Sequence, residues 1–482
     1  MPTSTAAAAP GREASRGARA DPERSPRNPA LAARATPRSA VVPPLPPMQL
    51  RSGAGVPPGR TTSESRTRAV AGAAAVSAAA AAVGAAGPAA QSGHGGAPIP
   101  RQGGRRSAPI LAANPAETRL IEIYELFGRG QSRQALLKAE KLVQELPNFQ
   151  LAQLVYADLL AARIGTAAGP GDAVTLARLQ SSPNFRDLQL ESQRRLLSLR
   201  ERPPSGTVPS QLLAVSPRSR HAIAVDASRS RLYLLENGEQ GMRLVADYYI
   251  SVGKSGIGKA VEGDARTPLG LYHVTSNLDP KSLRDFYGAG ALPINYPNPF
   301  DQRRGRTGGG IWLHGTPPQQ FARPPQATDG CVVLTNVDLR DIIRSVDVGA
   351  TPVVIAQRLV WITPEQARTE SGELAQVLAA WRDALASGDA ARLQAFYLPE
   401  FQRTGRRMAD RGGIPNDVEI TRLRGRKLDF KDMSILRWKD GDDALVATFG
   451  SVVEGERTGR TRRQYWLRQA GHWKLFQEEL LG

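Results

Sequence analysis

The first 110 residues set the strongest limit on how this chain folds, because they cannot build a hydrophobic core. They consist mainly of Ala, Pro, Arg, Gly and Ser and contain almost no aromatic residues. A segment of this composition buries too little apolar surface to offset its conformational entropy. We therefore predict a long disordered low-complexity region over residues 1–110. The rest of the 482-residue chain is long enough for two or three folded domains.

One segment inside this region has the layout of an export signal. Two arginines precede a weakly apolar, alanine-rich run at residues 69–86, and small residues follow it. A positive flank, an apolar stretch and a small-residue cleavage site are the parts of a secretory signal. We predict a signal or membrane anchor at residues 66–90, with translation starting at or near Met48. An exported protein of the periplasm or cell envelope follows from this prediction, and a disordered alanine-rich linker is the alternative.

The charge of the chain narrows the choice of partner. Lys and Arg number 63 against 45 Asp and Glu, which gives a formal net charge of +18. Such a surplus favours an anionic polymer: nucleic acid, anionic lipid or an acidic cell-wall matrix. The sequence has no arginine-rich helix with interleaved aromatics and no finger spacing, so we expect no nucleic-acid partner. None of the five His and one Cys has metal-ligand spacing, so we expect no metal site.

In residues 112–202, apolar side chains recur with the period of an α-helix. One apolar stripe ends at Gly130, a second ends at Pro147, and a third spans residues 151–160. Two helices with a Gly turn and a terminal Pro resemble one tetratricopeptide-like unit, although any helical hairpin would give a similar pattern. A further amphipathic helix is predicted over residues 171–201.

Strand patterns replace the helical period from residue 215 to about 358. Residues 221–226 and 231–236 flank a turn, and a further strand follows at 244–252. Short strands and glycine-rich loops continue from there, which predicts a mainly-β domain of ordinary size. The loop that begins at Gly253 reads Gly-x4-Gly-Lys-Ala. It lacks the hydroxyl residue of a phosphate-binding loop and no helix pattern follows, so we interpret it as a hairpin loop.

The C-terminal part is predicted to be a separate α+β domain. Residues 358–370 have the composition of a linker. Residues 371–482 begin with an amphipathic helix and end in strands that are rich in Arg, Trp and Tyr.

The chain contains one cysteine, Cys331, and His314 ends the apolar run that precedes it. A lone thiol cannot form an intramolecular disulfide, but an imidazole that accepts its proton makes it a nucleophile. Gly315 allows a close backbone approach, so its carbonyl can orient the imidazole. Gly330 can turn its own amide and that of Cys331 toward an oxyanion. The alternative is a buried, inert cysteine near an unrelated histidine.

The segment from about 219 to 356 resembles the L,D-transpeptidase catalytic domain of the YkuD type. The family signature is a His-Gly strand end, a short gap, and then Ser/Thr-x-Gly-Cys-apolar-x-apolar-x-Asn. This chain supplies His314-Gly315, Thr328-Asp329-Gly330-Cys331 and Asn336. Two positions depart from the pattern. Asp329 stands where the family often has His, and Val333 stands where an arginine is usual, which leaves the exact reaction open.

The resemblance implies that Cys331 attacks the amide between a diamino acid and a terminal D-alanine of a peptidoglycan stem peptide, with His314 moving the proton. A second diamino acid as acceptor gives a 3-3 cross-link, a protein lysine gives a wall-anchored protein, and water gives hydrolysis. No metal and no organic cofactor are implied. Beside the catalytic residues, the predicted substrate-binding residues are Tyr272, Trp312, Thr328, Asp329 and Asn336. Tyr272 and Trp312 are equally consistent with core aromatics.

The C-terminal domain resembles the cone-shaped nuclear-transport-factor or SnoaL-like fold, through Trp381 and the run Gly471-His472-Trp473 before the last strand. The sequence thus predicts a multidomain protein with a helical segment, a mainly-β catalytic domain and an α+β cone domain. Its leading function is that of a cysteine L,D-transpeptidase. An L,D-carboxypeptidase or amidase, and a non-catalytic wall-binding scaffold, remain as alternatives.

Overall fold

The computed structural model describes residues 114–164, 183–405 and 407–481. The low-complexity region, the signal or anchor at 66–90 and the start of the helix expected at 171–201 lie outside the described residues. In the described ranges, the hydropathy and length of every helix fall short of what a membrane span requires.

Four helices form the predicted helical segment, which is confirmed. Asn114 starts the first of them, because its side-chain oxygen accepts a hydrogen bond from the Ala116 amide at 2.9 Å. Their apolar faces meet in a separate core that includes Leu120, Leu142 and Val155. The likeness to a tetratricopeptide unit stays a prediction. The helices are α1 (Pro115–Gly128), α2 (Ser132–Glu145), α3 (Gln150–Ile164) and α4 (Pro183–Arg200).

The strands lie in two larger and three smaller sheets in the described part of the chain. They are β1 (Val208–Pro209), β2 (Leu212–Ala214), β3 (His221–Asp226), β4 (Arg231–Gly238), β5 (Gly241–Tyr249), β6 (Val252–Gly253), β7 (Gly270–His273), β8 (Ala291–Pro293), β9 (Trp312–His314), β10 (Gln326–Thr328), β11 (Val332–Val333), β12 (Pro352–Ala356), β13 (Trp361–Ile362), β14 (Tyr397–Gly405), β15 (Leu428–Trp438), β16 (Ala444–Val453), β17 (Arg460–Gln469) and β18 (His472–Leu480).

A five-stranded sheet in the order β5-β4-β3-β12-β7 forms the frame of the mainly-β domain. Its centre is the parallel pair of β3 and β12, whose contiguous apolar runs are buried on both faces. A three-stranded sheet in the order β11-β9-β8 lies against the same core. Two short helices complete this domain, α5 (Pro299–Arg303) and α6 (Asn336–Ser345).

The C-terminal region is a long helix on a six-stranded sheet in the order β14-β18-β17-β16-β15-β2. The helices are α7 (Pro364–Ser387), α8 (Ala390–Gln394) and α9 (Asp417–Leu423). The linker predicted at 358–370 is wrong in its second half, because α7 starts at Pro364. A capping box explains the early start: Thr363 accepts from the Gln366 amide, and the Gln366 side chain accepts from the Thr363 amide.

The helical segment is fixed to the mainly-β domain by a buried ion-pair network. Glu117 of α1 accepts hydrogen bonds from Arg195 of α4 at 2.9 Å and from Arg231 of β4 at 2.7 Å. Burial raises the pKa of Glu117, but the charges of Arg231 and Arg195 outweigh it and lower the pKa to about 2. The network makes the orientation of α1 and α4 on this domain specific, because none of these charges is stable there alone.

Candidate active site

Two parallel strands bring the predicted catalytic pair together. In the pairing of β11 with β9, Val332 lies opposite Leu313 and Val333 lies opposite His314. Cys331 precedes β11 by one residue, so the same register puts it level with Trp312. Alternate residues of a strand share a face, so Cys331 and His314 point to the same side of this small sheet.

The His314 imidazole is buried and held in one orientation. Its Nδ1 lies 2.7 Å from the carbonyl oxygen of Gly315, the contact that we predicted from the sequence. A carbonyl can only accept, so Nδ1 carries the hydrogen and Nε2 keeps a lone pair for a proton. Burial lowers the pKa of His314 to about 4, and the nearby Arg323 charge acts in the same direction. The imidazole is therefore a neutral base at neutral pH.

The Cys331 side chain is half-buried and in its protonated form. Its Sγ donates a hydrogen bond to the Gly310 carbonyl at 3.4 Å, and in the described residues no hydrogen bond joins it to His314. Burial raises the pKa of the thiol, while a backbone hydrogen bond from Trp312 and the charge of Arg323 oppose the rise. The resting pair is thus a neutral thiol and a neutral imidazole.

Gly330, directly before Cys331, has a positive φ of 123°. A Cβ there would lie 2.8 Å from the Arg266 carbonyl oxygen, so a side chain would push the loop open. The Gly330 amide already donates to Thr328 Oγ1 at 3.1 Å. The expectation that this amide binds an oxyanion is therefore wrong for this conformation, because its hydrogen is in use.

Thr328 and Asn336 shape the backbone of the site. Thr328 Oγ1 donates to the Cys331 carbonyl at 2.7 Å and so ties the nucleophile loop to β10. Asn336 Oδ1 accepts from the amides of Ala289 and Thr316, and its Nδ2 donates to the Thr316 carbonyl at 2.8 Å. A Cβ at Gly315 would collide with Asn336 Oδ1, which explains why glycine follows the histidine. With Asn336 turned to the backbone and Thr328 buried, neither faces a substrate here.

The remaining predicted substrate residues lie in different surroundings. Tyr272 is 1% exposed in the core of the domain, and its hydroxyl donates to the Leu269 carbonyl at 3.1 Å. A substrate-groove role for Tyr272 is therefore wrong, and the core alternative fits. Trp312 is half-buried beside Tyr287, with ring centroids 4.9 Å apart. Asp329 is exposed and pairs with Lys254 at 2.7 Å.

Three side chains near the pair were missed by the sequence analysis. Phe286 and Tyr287 form a short helical turn whose rings lie 5.7 Å and 5.1 Å from the His314 ring. Arg323, in the loop after His314, interacts electrostatically with both Cys331 and His314. No periodic pattern marks these loops. The one sequence signal that could have identified Arg323 was its position between the His314-Gly315 motif and the motif that contains Cys331.

A cavity of about 640 Å³ opens elsewhere, between the catalytic domain and the C-terminal sheet. It includes His273, Arg463 and Glu479 but neither Cys331 nor His314. Arg463 Nη1 lies 2.6 Å from His273 Nε2 and thereby joins the two domains. Within the described ranges, no group of three or more His, Cys, Asp or Glu residues could hold a metal ion.

Comparison with known proteins matches one part of the chain to a family. Residues 220–355 match the model of the YkuD family, described as the L,D-transpeptidase catalytic domain. No curated protein matches the sequence.

Solved structures match the chain over different shares of its length. Bd1075 of Bdellovibrio bacteriovorus is 24% identical and covers 57% of this chain and 98% of its own, with a TM-score of 0.48. The helical cell shape determining protein Pgp2 of Campylobacter jejuni is 22% identical over 56% of this chain and 95% of its own, with a TM-score of 0.44. An NTF2-like protein of unknown function from Shewanella baltica is 13% identical over 23% of this chain and 92% of its own, with a TM-score of 0.18.

Proposed function

We propose that this protein is a cysteine acyltransferase that acts on peptidoglycan stem peptides, because residues 220–355 match the model of the L,D-transpeptidase catalytic domain family. The observation that carries the proposal is the pairing of β11 with β9, which puts Cys331 and His314 on one face of a small sheet. The hydrogen bond from His314 Nδ1 to Gly315 supports it further, since it leaves Nε2 ready to accept a proton.

The first half-reaction forms an acyl-enzyme. Nε2 of His314 takes the Cys331 proton as the sulfur attacks the carbonyl carbon of the diamino acid. The developing oxyanion is stabilised by the Cys331 amide, because the Gly330 amide is committed to Thr328. The C–N bond then breaks, and His314 returns the proton to the leaving amine of D-alanine. A thioester on Cys331 remains.

The second half-reaction transfers the acyl group. An acceptor amine loses a proton to His314 and attacks the thioester carbonyl. The C–S bond then breaks, and His314 returns the proton to the departing sulfur, which regenerates the thiol. A diamino acid as acceptor gives a 3-3 cross-link, and a lysine of a protein gives an anchored protein. Water as acceptor would make the protein an L,D-carboxypeptidase or amidase. Action in the periplasm or cell envelope follows from the location of this substrate.

Incubation of purified peptidoglycan fragments with the protein, followed by muropeptide analysis, tests the proposal. New 3-3 dimers support transpeptidation, and shortened stems without dimers support the hydrolase. If folded wild-type protein forms neither product, the non-catalytic scaffold is the alternative that remains. Cys331→Ala must abolish all product. His314→Gln should reduce the rate by about 100-fold or more, because the general base is lost. His472→Gln, at an exposed histidine far along the chain, is the matched control.

A further inference from the structure

Arg323 is a buried cation without a carboxylate partner. Its side chain is 8% exposed, yet within the described ranges it forms no ion pair, and its Nε has no hydrogen-bond partner. Its polar contact is a long one, from Nη1 to the Ala327 carbonyl at 3.5 Å. The guanidinium also lies 4.5 Å from the ring centroid of Phe286. Buried guanidinium groups are normally paired with an anion, so Arg323 can still interact with an anionic partner.

The guanidinium of Arg323 lies against Phe286, whose ring is 5.7 Å from the His314 ring, and His314 shares one face of the small sheet with Cys331. The charge that Arg323 can balance there is the sulfur of Cys331. Burial raises the pKa of the Cys331 thiol, and the Arg323 charge opposes that rise. The same charge lowers the pKa of His314, which helps to keep the imidazole neutral. Asp329 and Lys259 also act on the thiol, with opposite signs.

Two lysines near the loop that carries Cys331 are already paired with carboxylates. Lys254 pairs with Asp329 at 2.7 Å, and Lys259 pairs with Asp264 at 2.9 Å. Strand β11 after the nucleophile consists of Val332 and Val333, which are apolar and buried. In the described part of the chain, Arg323 is thus a buried cation that acts on the sulfur and forms no ion pair of its own.

The helical segment holds the loop that carries Arg323. The Phe321 amide donates to the Asn148 carbonyl at 3.0 Å, and Asn148 Nδ2 donates to the Pro318 carbonyl at 2.9 Å. The rings of Phe321 and Phe149 lie 4.4 Å apart. The turn between α2 and α3 thus contacts the loop that carries Arg323 and holds it from one side.

The catalytic domain and α4 hold the same loop from the other side. The Tyr249 hydroxyl donates to the Arg323 carbonyl at 2.9 Å. The guanidinium of Arg195, which also pairs with Glu117 of α1, lies 3.8 Å from the Tyr249 ring centroid. The backbone of Arg323 is therefore fixed by contacts that lead back to the helices.

We propose that Arg323 is a positioning residue that stabilises the thiolate of Cys331 as it forms, and that the turn between α2 and α3 keeps Arg323 in place. Its role in acyl transfer rests on the proposed function, but its effect on the thiol does not. The proposal gives the helical segment a task in the catalytic centre: to hold the loop that carries the charge.

The pH dependence of Cys331 alkylation by iodoacetamide tests this directly, because the chain has no other cysteine. In Arg323→Met the apparent thiol pKa should rise by about one unit, and the alkylation rate at pH 7 should fall about 10-fold. Arg323→Lys keeps the charge and should give a smaller rise. Arg340→Met, at an exposed arginine on α6, is the matched control and should leave the profile unchanged.

An unchanged profile in folded Arg323→Met overturns the proposal, with folding checked by circular dichroism. If Arg323→Met does not fold, Arg323→Gln is judged by the same criteria. A raised thiol pKa in a protein that makes no muropeptide product would refute the proposed function alone.

The helical turn is tested by Phe321→Ala, which removes the contact with Phe149 but no charge. The thiol pKa should again rise, by less than in Arg323→Met, because Arg323 loses its fixed place. Leu137→Ala, at an exposed leucine of α2, is the control. A wild-type profile for Phe321→Ala would show that the turn does not position Arg323.

Discussion

At the scale of single residues, the site combines a neutral base with a protonated nucleophile. Burial keeps His314 neutral and also raises the pKa of the Cys331 thiol. A resting ion pair, as in many cysteine enzymes, is therefore disfavoured. In the proposed reaction, proton transfer from sulfur to imidazole therefore accompanies attack, and we expect any group that stabilises the thiolate at that moment to increase the rate.

The low pKa of His314 predicts a specific acid sensitivity of the fold. The pKa is about 4 in the folded protein and near 6.5 when unfolded. As the pH falls, the unfolded state therefore binds this proton at a higher pH than the folded state does. The stability that depends on a neutral His314 is fully present above pH 6.5 and is lost as the pH falls to 4. Across that range the wild type should lose on the order of 3 kcal/mol more than His314→Gln.

Urea unfolding at a series of pH values measures this difference. His472→Gln, which changes an exposed histidine, should follow the wild type. Parallel curves for wild type and His314→Gln would contradict the assigned burial of the imidazole.

Residue patterns predicted the approach of Cys331 to His314 and the Gly315 carbonyl contact, because these lie within or beside one short motif. Tyr272 shows where such reasoning stops. Its position on β7 was equally consistent with a substrate groove and with the core. Only the packing of strands distant in sequence decides which face of β7 is buried. Arg323 has no motif around it, and its position depends on a turn of the helical segment far earlier in the chain.

At the scale of elements, the buried network of Glu117 decides how the helices attach to the catalytic domain. Removing one partner of a buried ion pair leaves an uncompensated charge. Glu117→Gln should therefore destabilise the protein by about 3–5 kcal/mol, since Arg195 and Arg231 lose the carboxylate they share and keep only Glu191 at 2.8 Å and Asp247 at 3.5 Å. The free energy of unfolding by urea gives the measurement.

Another glutamate of α1, in an exposed ion pair with a lysine of α2, is the control. Glu122 pairs with Lys138 at 2.9 Å, and both side chains are about half exposed. Glu122→Gln should change the free energy of unfolding by less than about 1 kcal/mol. Equal effects of the two substitutions would contradict the structural role of the network.

At the scale of the whole molecule, the catalytic and C-terminal parts share a core. Strand β2, which precedes the catalytic domain, pairs with β15 at the edge of the C-terminal sheet. Phe300 of the catalytic domain packs on Tyr465 and Phe476, with ring centroids 5.4 Å and 5.3 Å away. We expect these two parts to unfold together.

Phe300→Ala tests this expectation. The loss of a buried aromatic should cost about 3–5 kcal/mol, and calorimetry should show one transition at a lower temperature for both parts. Val360→Ala, at an exposed valine, should leave the transition in place. Two separate transitions, only one of them shifted, would contradict a shared core.

The sequence predicted the helical segment and the mainly-β catalytic domain, because each has its own period over many residues. It did not predict that β2 joins a sheet built from residues beyond 396, because such a pairing leaves no local trace. The start of α7 was missed for a smaller reason: the capping box at Thr363 lay in a segment whose composition resembles a linker.

The most direct test of the account is the intact mass of the protein after brief exposure to a tetrapeptide stem donor. The account predicts an added mass equal to the donor minus its terminal D-alanine, located on Cys331 by peptide mapping and absent from Cys331→Ala. Products that form with no adduct on this residue, or that persist in Cys331→Ala, would contradict it.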